Sequence, residues 1–263
     1  MGKKLFRVVL GLFLVVWITP KVLASQLTDK AYEDYDFQLE KYRSTYNDFL
    51  LKRTQYEKVG TFAVEEQLVI SAKAMLIDRI QVWLSFWQII RTELSESKGM
   101  ANDRKGELTG IIDDLQAELN TKKDAVEQTT TRTELLAEAV EINEKNGAYT
   151  EVYYEMLTSL KLSNLEWAIG QLKTYTEELK GNINIQVRDS AQKEERLRGV
   201  NEAMTNFALV TEKLDKVKVN LISKRESSWQ SRYKTIIEIY GETYELLTKS
   251  YKLDVELSKG IEL

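Results

Sequence analysis

Apolar side chains recur along this chain at alternating steps of three and four residues, the spacing that aligns them on one face of an α-helix. Tyr32, Tyr35, Leu39, Tyr42, Tyr46, Phe49 and Tyr56 form one such line, with Arg53 at the skipped position. Val200, Ala203, Phe207, Val210, Leu214, Val217 and Leu221 form a second, and Tyr233, Ile237, Tyr240, Tyr244, Leu247 and Tyr251 a third. Lines of this kind pack knobs into holes against other helices. A weaker line, Ile112, Leu115, Leu119 and Val126, reaches Leu136 and Val140 only across the stretch QTTTRT, which reads as a kink or a loosely packed turn. No strand-like alternation of useful length interrupts these patterns.

The breaks are marked by glycine. Pro20 is the only proline, so nothing downstream carries the roughly 3 kcal/mol penalty of a proline inside a helix. Gly60, the stretch KGMANDRKG from Lys98 to Gly106, NEKNGAY around Gly147 and KGNIN around Gly181 read as helix stops, because Lys or Asn followed by Gly suits a helix C-terminus. Ser227 with Gln230 three residues on reads as a capping box that opens a last helix. Six helices follow, at about 28–58, 62–97, 107–145, 149–180, 189–225 and 227–259. A helix of about 32 residues runs roughly 48 Å. The expected fold is all-α, an elongated multi-helix bundle with coiled-coil-like packing.

The second predicted helix contains QVWLSFWQII, residues 81–90. At 100° per residue, Leu76, Ile77, Ile80, Trp83, Leu84, Trp87, Ile90 and Leu94 fall within about 140° of arc, an ordinary core face. Val82, Phe86 and Ile89 form a neighbouring apolar face, which leaves Asp78, Gln81, Ser85, Gln88 and Thr92 as a narrow polar strip. A helix apolar around most of its circumference suits a central position touching several neighbours. Trp83, Phe86, Trp87 and Ile90 are accordingly candidates for a core face or, failing that, a partner face. Asp78, Arg79 and Gln81 interrupt the run of about 20 apolar residues that a membrane span requires.

Tyrosine is unevenly distributed. All 13 tyrosines fall in the first, fourth and last predicted helices. KYRSTYNDFLLK at 41–52 is similar to IYGETYELLTKS at 239–250, though too briefly to separate an internal duplication from shared heptad chemistry. Either these three helices adjoin and the rings fill their seam, or Tyr42, Tyr46, Tyr240, Tyr244 and Tyr251 line a groove for an extended polymer, peptide or glycan.

The N-terminus changes the setting. Lys3, Lys4 and Arg7 precede eleven apolar or glycine residues from Val8 to Ile18, and Val22-Leu23-Ala24 follows. This is the three-part layout of a secretory signal peptide, with cleavage expected after Ala24; the alternative, an N-terminal membrane anchor, is opposed by Pro20 and Lys21. Cleavage would remove four cations and no acid, taking 37 cations against 41 acids to 33 against 41, a net charge of −8. Net acidity argues against nucleic acid, whose binders display a basic face. Residues 25–263 are expected to form a single helical domain that does not span a membrane. Cysteine is absent, so there is neither a disulfide framework nor a thiol for lipid attachment, and an exported chain of this length is held by its core. The short basic leader and the lack of cysteine suggest a bacterial envelope, periplasmic or secreted protein.

Histidine is also absent. That removes the Ser-His-Asp triad, histidine-bound zinc or haem, and the Glu-x-x-His pairs of di-iron bundles. The remaining candidates are carboxylate pairs, Asp113 with Asp114 and Glu65 with Glu66, and the run Lys193, Glu194, Glu195. An acid–base pair needs a cleft that separates two pKa values, whereas such residues on charged helices normally form solvated faces. Asn102, Asp103 and Glu107 lack the ligand spacing of an EF-hand loop. No catalytic residue, cofactor or metal is expected. The leading functional expectation is an exported, non-enzymatic helical module that binds a protein partner or its own copies. A helical receptor with a tyrosine-lined groove is the alternative, and a membrane-active helical protein the third.

Overall fold

The computed structural model describes residues 26–223 and 228–259. They form six α-helices, α1 (Gln26–Val59), α2 (Phe62–Glu96), α3 (Asn102–Gln128), α4 (Arg132–Gln186), α5 (Ser190–Ser223) and α6 (Trp229–Leu257). No strand occurs among the described residues. The protein is an all-α multi-helix bundle, as the spacing of its apolar residues predicts. The expected leader, residues 1–24, and Ser227 lie outside the described residues.

Two of the predicted breaks stand where glycine places them. Gly60 adopts φ 61°, the left-handed conformation that glycine enters without steric cost, and its N–H closes α1 on Tyr56 O at 2.9 Å. Gly99 stands in the α2–α3 connection for a different reason: a Cβ there would lie 1.8 Å from Ser163 O. Its hydrogen side chain permits the backbone to touch α4.

The other two glycine breaks are not breaks. Gly147 and Gly181 sit inside α4, which runs unbroken for 55 residues, roughly 80 Å at the α-helical rise. The chain interrupts instead at 129–131. Thr131 is a non-helical N-cap (φ −117°, ψ 156°), and its Oγ1 accepts from Glu134 N. Glu134 Oε2 accepts from the N–H of Thr130 at 2.8 Å and of Thr131 at 3.1 Å. These backbone bonds hold the Glu134 carboxyl below its usual proton affinity. Three consecutive threonines, poor helix formers because of their branched Cβ, followed by a complete capping box outweigh a glycine in a helix interior, which costs only about 1 kcal/mol. This break resets the helical phase, so Leu136 and Val140 do not continue the seam of α3. They are more than half exposed, and Leu135 and Ile142 face inward. The cap of α6 is likewise Ser228, whose side chain accepts from Ser231 N.

The described chain divides into two compact units. The first contains α1, α2 as far as Thr92, and residues 119–128 of α3. Here α1 and α2 form an antiparallel hairpin about Gly60. Tyr35 meets Phe86 (centroids 6.1 Å) and Lys41 pairs with Asp78 (2.9 Å), so facing positions add up to about 120. The second contains residues 93–118 and everything from Thr129 onward. Its α4, α5 and α6 pack pairwise, around Leu165 and Ile169 of α4, Ala203, Phe207, Val210 and Leu214 of α5, and Leu247 of α6. The predicted α5 line from Val200 to Val217 is buried at every position. The side chain of Leu221 lies outside the described residues.

Candidate functional site

Trp87 is completely buried, and Phe86 and Ile90 are nearly so, while Trp83 is half-buried. Trp83 stacks on Trp87 (6.3 Å, 22° between planes), and Phe86 meets both edge-on (5.9 and 5.4 Å). Such aromatic contacts add to the burial energy. Part of the polar strip of this helix is also withdrawn from solvent. Asp78, Ser85 and Thr92 are buried, with Asp78 paired to Lys41 and the hydroxyls of Ser85 and Thr92 donated to the carbonyls of Val82 and Gln88. At this level α2 is buried on the face of Phe86, Trp87 and Ile90 and at Asp78, Ser85 and Thr92, while Gln81 to Leu84 are half-buried and Gln88 is exposed. The Trp87 indole N–H is buried without a protein acceptor.

The five tyrosines of the expected groove are shared between the units. In the first, Tyr42 and Tyr46 pair at 5.9 Å. Burial raises the Tyr42 phenol against a smaller opposing effect of Arg79. In the second, Tyr240 and Tyr244 stack at 6.4 Å and 14°, and Tyr240 lies beneath Lys161 Nζ at 5.1 Å from the ring centre. Burial pushes Tyr240 up and Lys161 down. Tyr154 of α4 meets Tyr233 of α6 at 5.3 Å, so the tyrosines of these two helices do adjoin. Burial, with Tyr154 close by, pushes Tyr233 up to about 12.

Tyr244 and Tyr251 themselves are more than half exposed. The predicted α6 line faces the bundle only in part: Tyr233 and Leu247 are buried and Ile237 and Tyr240 half-buried. The buried positions are Tyr233, Ile236, Thr243, Leu247, Ser250 and Asp254, at steps of three, seven, four, three and four, with polar residues in three places. Tracing apolar residues alone misses those three, because Thr, Ser and Asp look like surface.

A second feature escapes the sequence pattern. At the closed end of the α1–α2 hairpin, Leu51, Val59, Phe62 and Ile70 are exposed, Phe62 to 82%. The facing rule sets Leu51 level with Ile70 and Val59 level with Phe62. Hairpin turns are ordinarily polar, so apolar residues on both sides of Gly60-Thr61 are the available signal.

The carboxylate candidates form no cleft. Asp113, Asp114, Glu66, Glu194 and Glu195 are exposed and Glu65 is half-buried. Lys193 is spent on Asn184 O at 2.8 Å, and Glu107 pairs with Arg104 at 2.7 Å. Among the described residues no group of three or more acidic side chains is arranged to hold a metal ion, and no helix is long and apolar enough to cross a membrane. A narrow interstice between α4, α5 and α6, lined by Lys161, Leu165, Val217, Ile236 and Tyr240 among others, is too tight to admit a water molecule.

The class these features define is a helical bundle with exposed apolar and aromatic residues on α1, α2 and α6. Compared with known proteins, the chain matches no family model, no curated protein and no solved structure.

Proposed function

We propose that this protein is an exported, non-enzymatic helical module of the cell envelope that works by binding another polypeptide, a second copy of itself included. The observation that carries the reading is the apolar end of the α1–α2 hairpin, where Phe62 is 82% exposed and Val59, Leu51 and Ile70 are exposed as well. Contiguous apolar surface on a folded chain marks a contact site more often than an accident of packing. Export rests on the basic, apolar and small-residue layout of residues 1–24, and the lack of histidine and cysteine supports a role other than metal-dependent or thiol catalysis.

A second reading retains one favourable feature, the exposed pair Tyr244 and Tyr251 on α6, which offers stacking surface to a polymer or glycan. Native mass spectrometry of the protein purified from its host, with flotation on liposomes, separates the readings. A defined oligomer or a stoichiometric protein complex that is lost on joint Val59→Ser and Phe62→Ser substitution supports the module. A retained small molecule insensitive to those substitutions would favour the receptor, and lipid-triggered insertion a membrane-active protein.

A further inference from the structure

On α6, Tyr244, Thr248, Tyr251 and Val255 follow one another at steps of four, three and four, which places them within about 60° of arc on one stripe of the helix. Tyr244 and Tyr251 are 54% and 55% exposed, and Val255 is exposed as well. The stripe runs beside the buried seam, and the bundle does not cover it. On its inner edge Tyr240 lies under Lys161 of α4, and the Tyr244 ring is braced by stacking on Tyr240.

The outer edge of the stripe carries charge in order. Glu238, Glu245, Lys252 and Lys259 stand seven residues apart, so that they line one edge of the helix, and all four are exposed. The acids occupy the N-terminal half and the lysines the C-terminal half. Such a row complements itself only when reversed. Two copies of α6 laid in parallel oppose Glu to Glu and Lys to Lys. Laid antiparallel, with edge positions adding up to 497, Glu245 of each copy meets Lys252 of the other and Glu238 meets Lys259, every pair made twice by one two-fold axis. The stripe fits the same register. With level positions adding up to 499, Tyr244 of one copy stands against Val255 of the other and Tyr251 against Thr248, and the difference of two residues is about 3 Å of rise, within reach of Glu and Lys side chains. A register shifted by one heptad would set Glu245 against Glu245 of the other copy.

We propose that α6 docks antiparallel on the α6 of a second copy, covering Tyr244, Tyr251 and Val255 across a two-fold axis, with the Glu238–Lys259 and Glu245–Lys252 pairs along its edge. This deepens the reading of a module that binds its own copies, on a surface other than the hairpin end. The apolar stripe supplies the attraction. The charges set orientation and register, since exposed ion pairs add little affinity whereas like charges brought together are penalised. From Tyr244 to Val255 the stripe is about 16 Å long, so the dimer is of the small, reversible class. A glycan would use the same rings without the reversal of charge, and an anionic lipid surface would call for cations along the whole edge.

Sedimentation velocity of the protein as purified from its host, from about 1 to about 200 μM at low salt, is expected to show a monomer–dimer equilibrium. Joint Glu238→Lys and Glu245→Lys makes the edge wholly basic, and joint Lys252→Glu and Lys259→Glu makes it wholly acidic. Each variant alone should associate at least about tenfold more weakly than the natural chain, and an equimolar mixture of the two should recover the dimer as a heterodimer. Recovery on mixing also excludes misfolding as the cause of either loss. Joint Tyr244→Ser and Tyr251→Ser should weaken the dimer without rescue by mixing. A protein that stays monomeric throughout would overturn the inference, including one that instead retains a glycan or floats with liposomes. So would a dimer indifferent to the charge reversals. A dimer lost on joint Val59→Ser and Phe62→Ser but not on charge reversal would overturn it while upholding the hairpin end, whereas loss and rescue by the charge variants uphold it whatever the hairpin variants do.

Discussion

Trp87 and Trp83 stand one turn apart on the same helix yet differ in enclosure. Trp87 has no exposure and Trp83 is half-buried. Trp87→Ala should therefore cost about 3–5 kcal/mol through lost burial and the cavity left behind, with Trp83→Ala costing distinctly less. Chemical denaturation of both variants reads the difference; equal small losses would mean that α2 is not central. Legibility at the residue scale is uneven for a physical reason. The tryptophan segment is readable because large apolar residues at helical spacing leave few alternatives to burial. Asp254 is not, since a carboxylate is almost never fully buried without a partner, and only the packing of α4 on α6 reveals that it is. Burial raises its proton affinity, opposed by the Thr176 hydrogen bond. Replacing it by Asn, which keeps the shape and an acceptor for the Thr176 hydroxyl without a charge, should raise the melting temperature near neutral pH. The advantage should fade in acid, where Asp254 is itself neutral. A melt series over pH checks the sign, and an advantage that grows in acid would contradict it.

At the scale of elements, the sequence discloses periodicity and conceals where each period stops. The α5 line from Val200 to Val217 is legible because nothing polar enters that seam. In α6 the apolar line and the buried seam share Tyr233 and Leu247 and part elsewhere, where the seam takes Thr243, Ser250 and Asp254. Glycine alone is a weak marker of a break. Gly60 and Gly99 mark connections because one needs a positive φ and the other a close backbone approach. Gly147 and Gly181 meet neither condition, and a methyl group at either would stand in open space. Opposite outcomes follow for the same substitution. Gly147→Ala and Gly181→Ala should each stabilise α4 by about 0.5–1 kcal/mol through helix propensity and reduced unfolded-state freedom. Gly99→Ala should be strongly destabilising, because its methyl would overlap the Ser163 carbonyl. Thr131→Ala removes the α4 cap and should cost about 1 kcal/mol. Thermal melts of the four variants test the set, and a harmless Gly99→Ala would refute the close contact.

For the whole molecule, the leader and the body make one argument. The body has no disulfide available to it, since the chain has no cysteine, and its stability rests on buried seams such as that of α5 and on the buried aromatic face of α2. Such a core does not depend on the redox state of its compartment. The proposed export rests on the leader alone. Three cations, an apolar run from Val8 to Ile18 and small side chains at Val22 and Ala24 fit recognition and cleavage by a signal peptidase, with Pro20 and Lys21 ending the run before it could span a bilayer. Expressed in its own host, the protein should be recovered without its first 24 residues, and with Ser25 at its N-terminus. The expected loss of Lys3, Lys4, Arg7 and Lys21 would make the chain more acidic, from −4 to −8 in formal charge. Intact-mass measurement and isoelectric focusing of the same preparation give two independent readings of that change. A chain that retains Met1 and stays with the membrane pellet after carbonate washing would instead be anchored by this segment, and the apolar hairpin end would then present itself from a membrane surface.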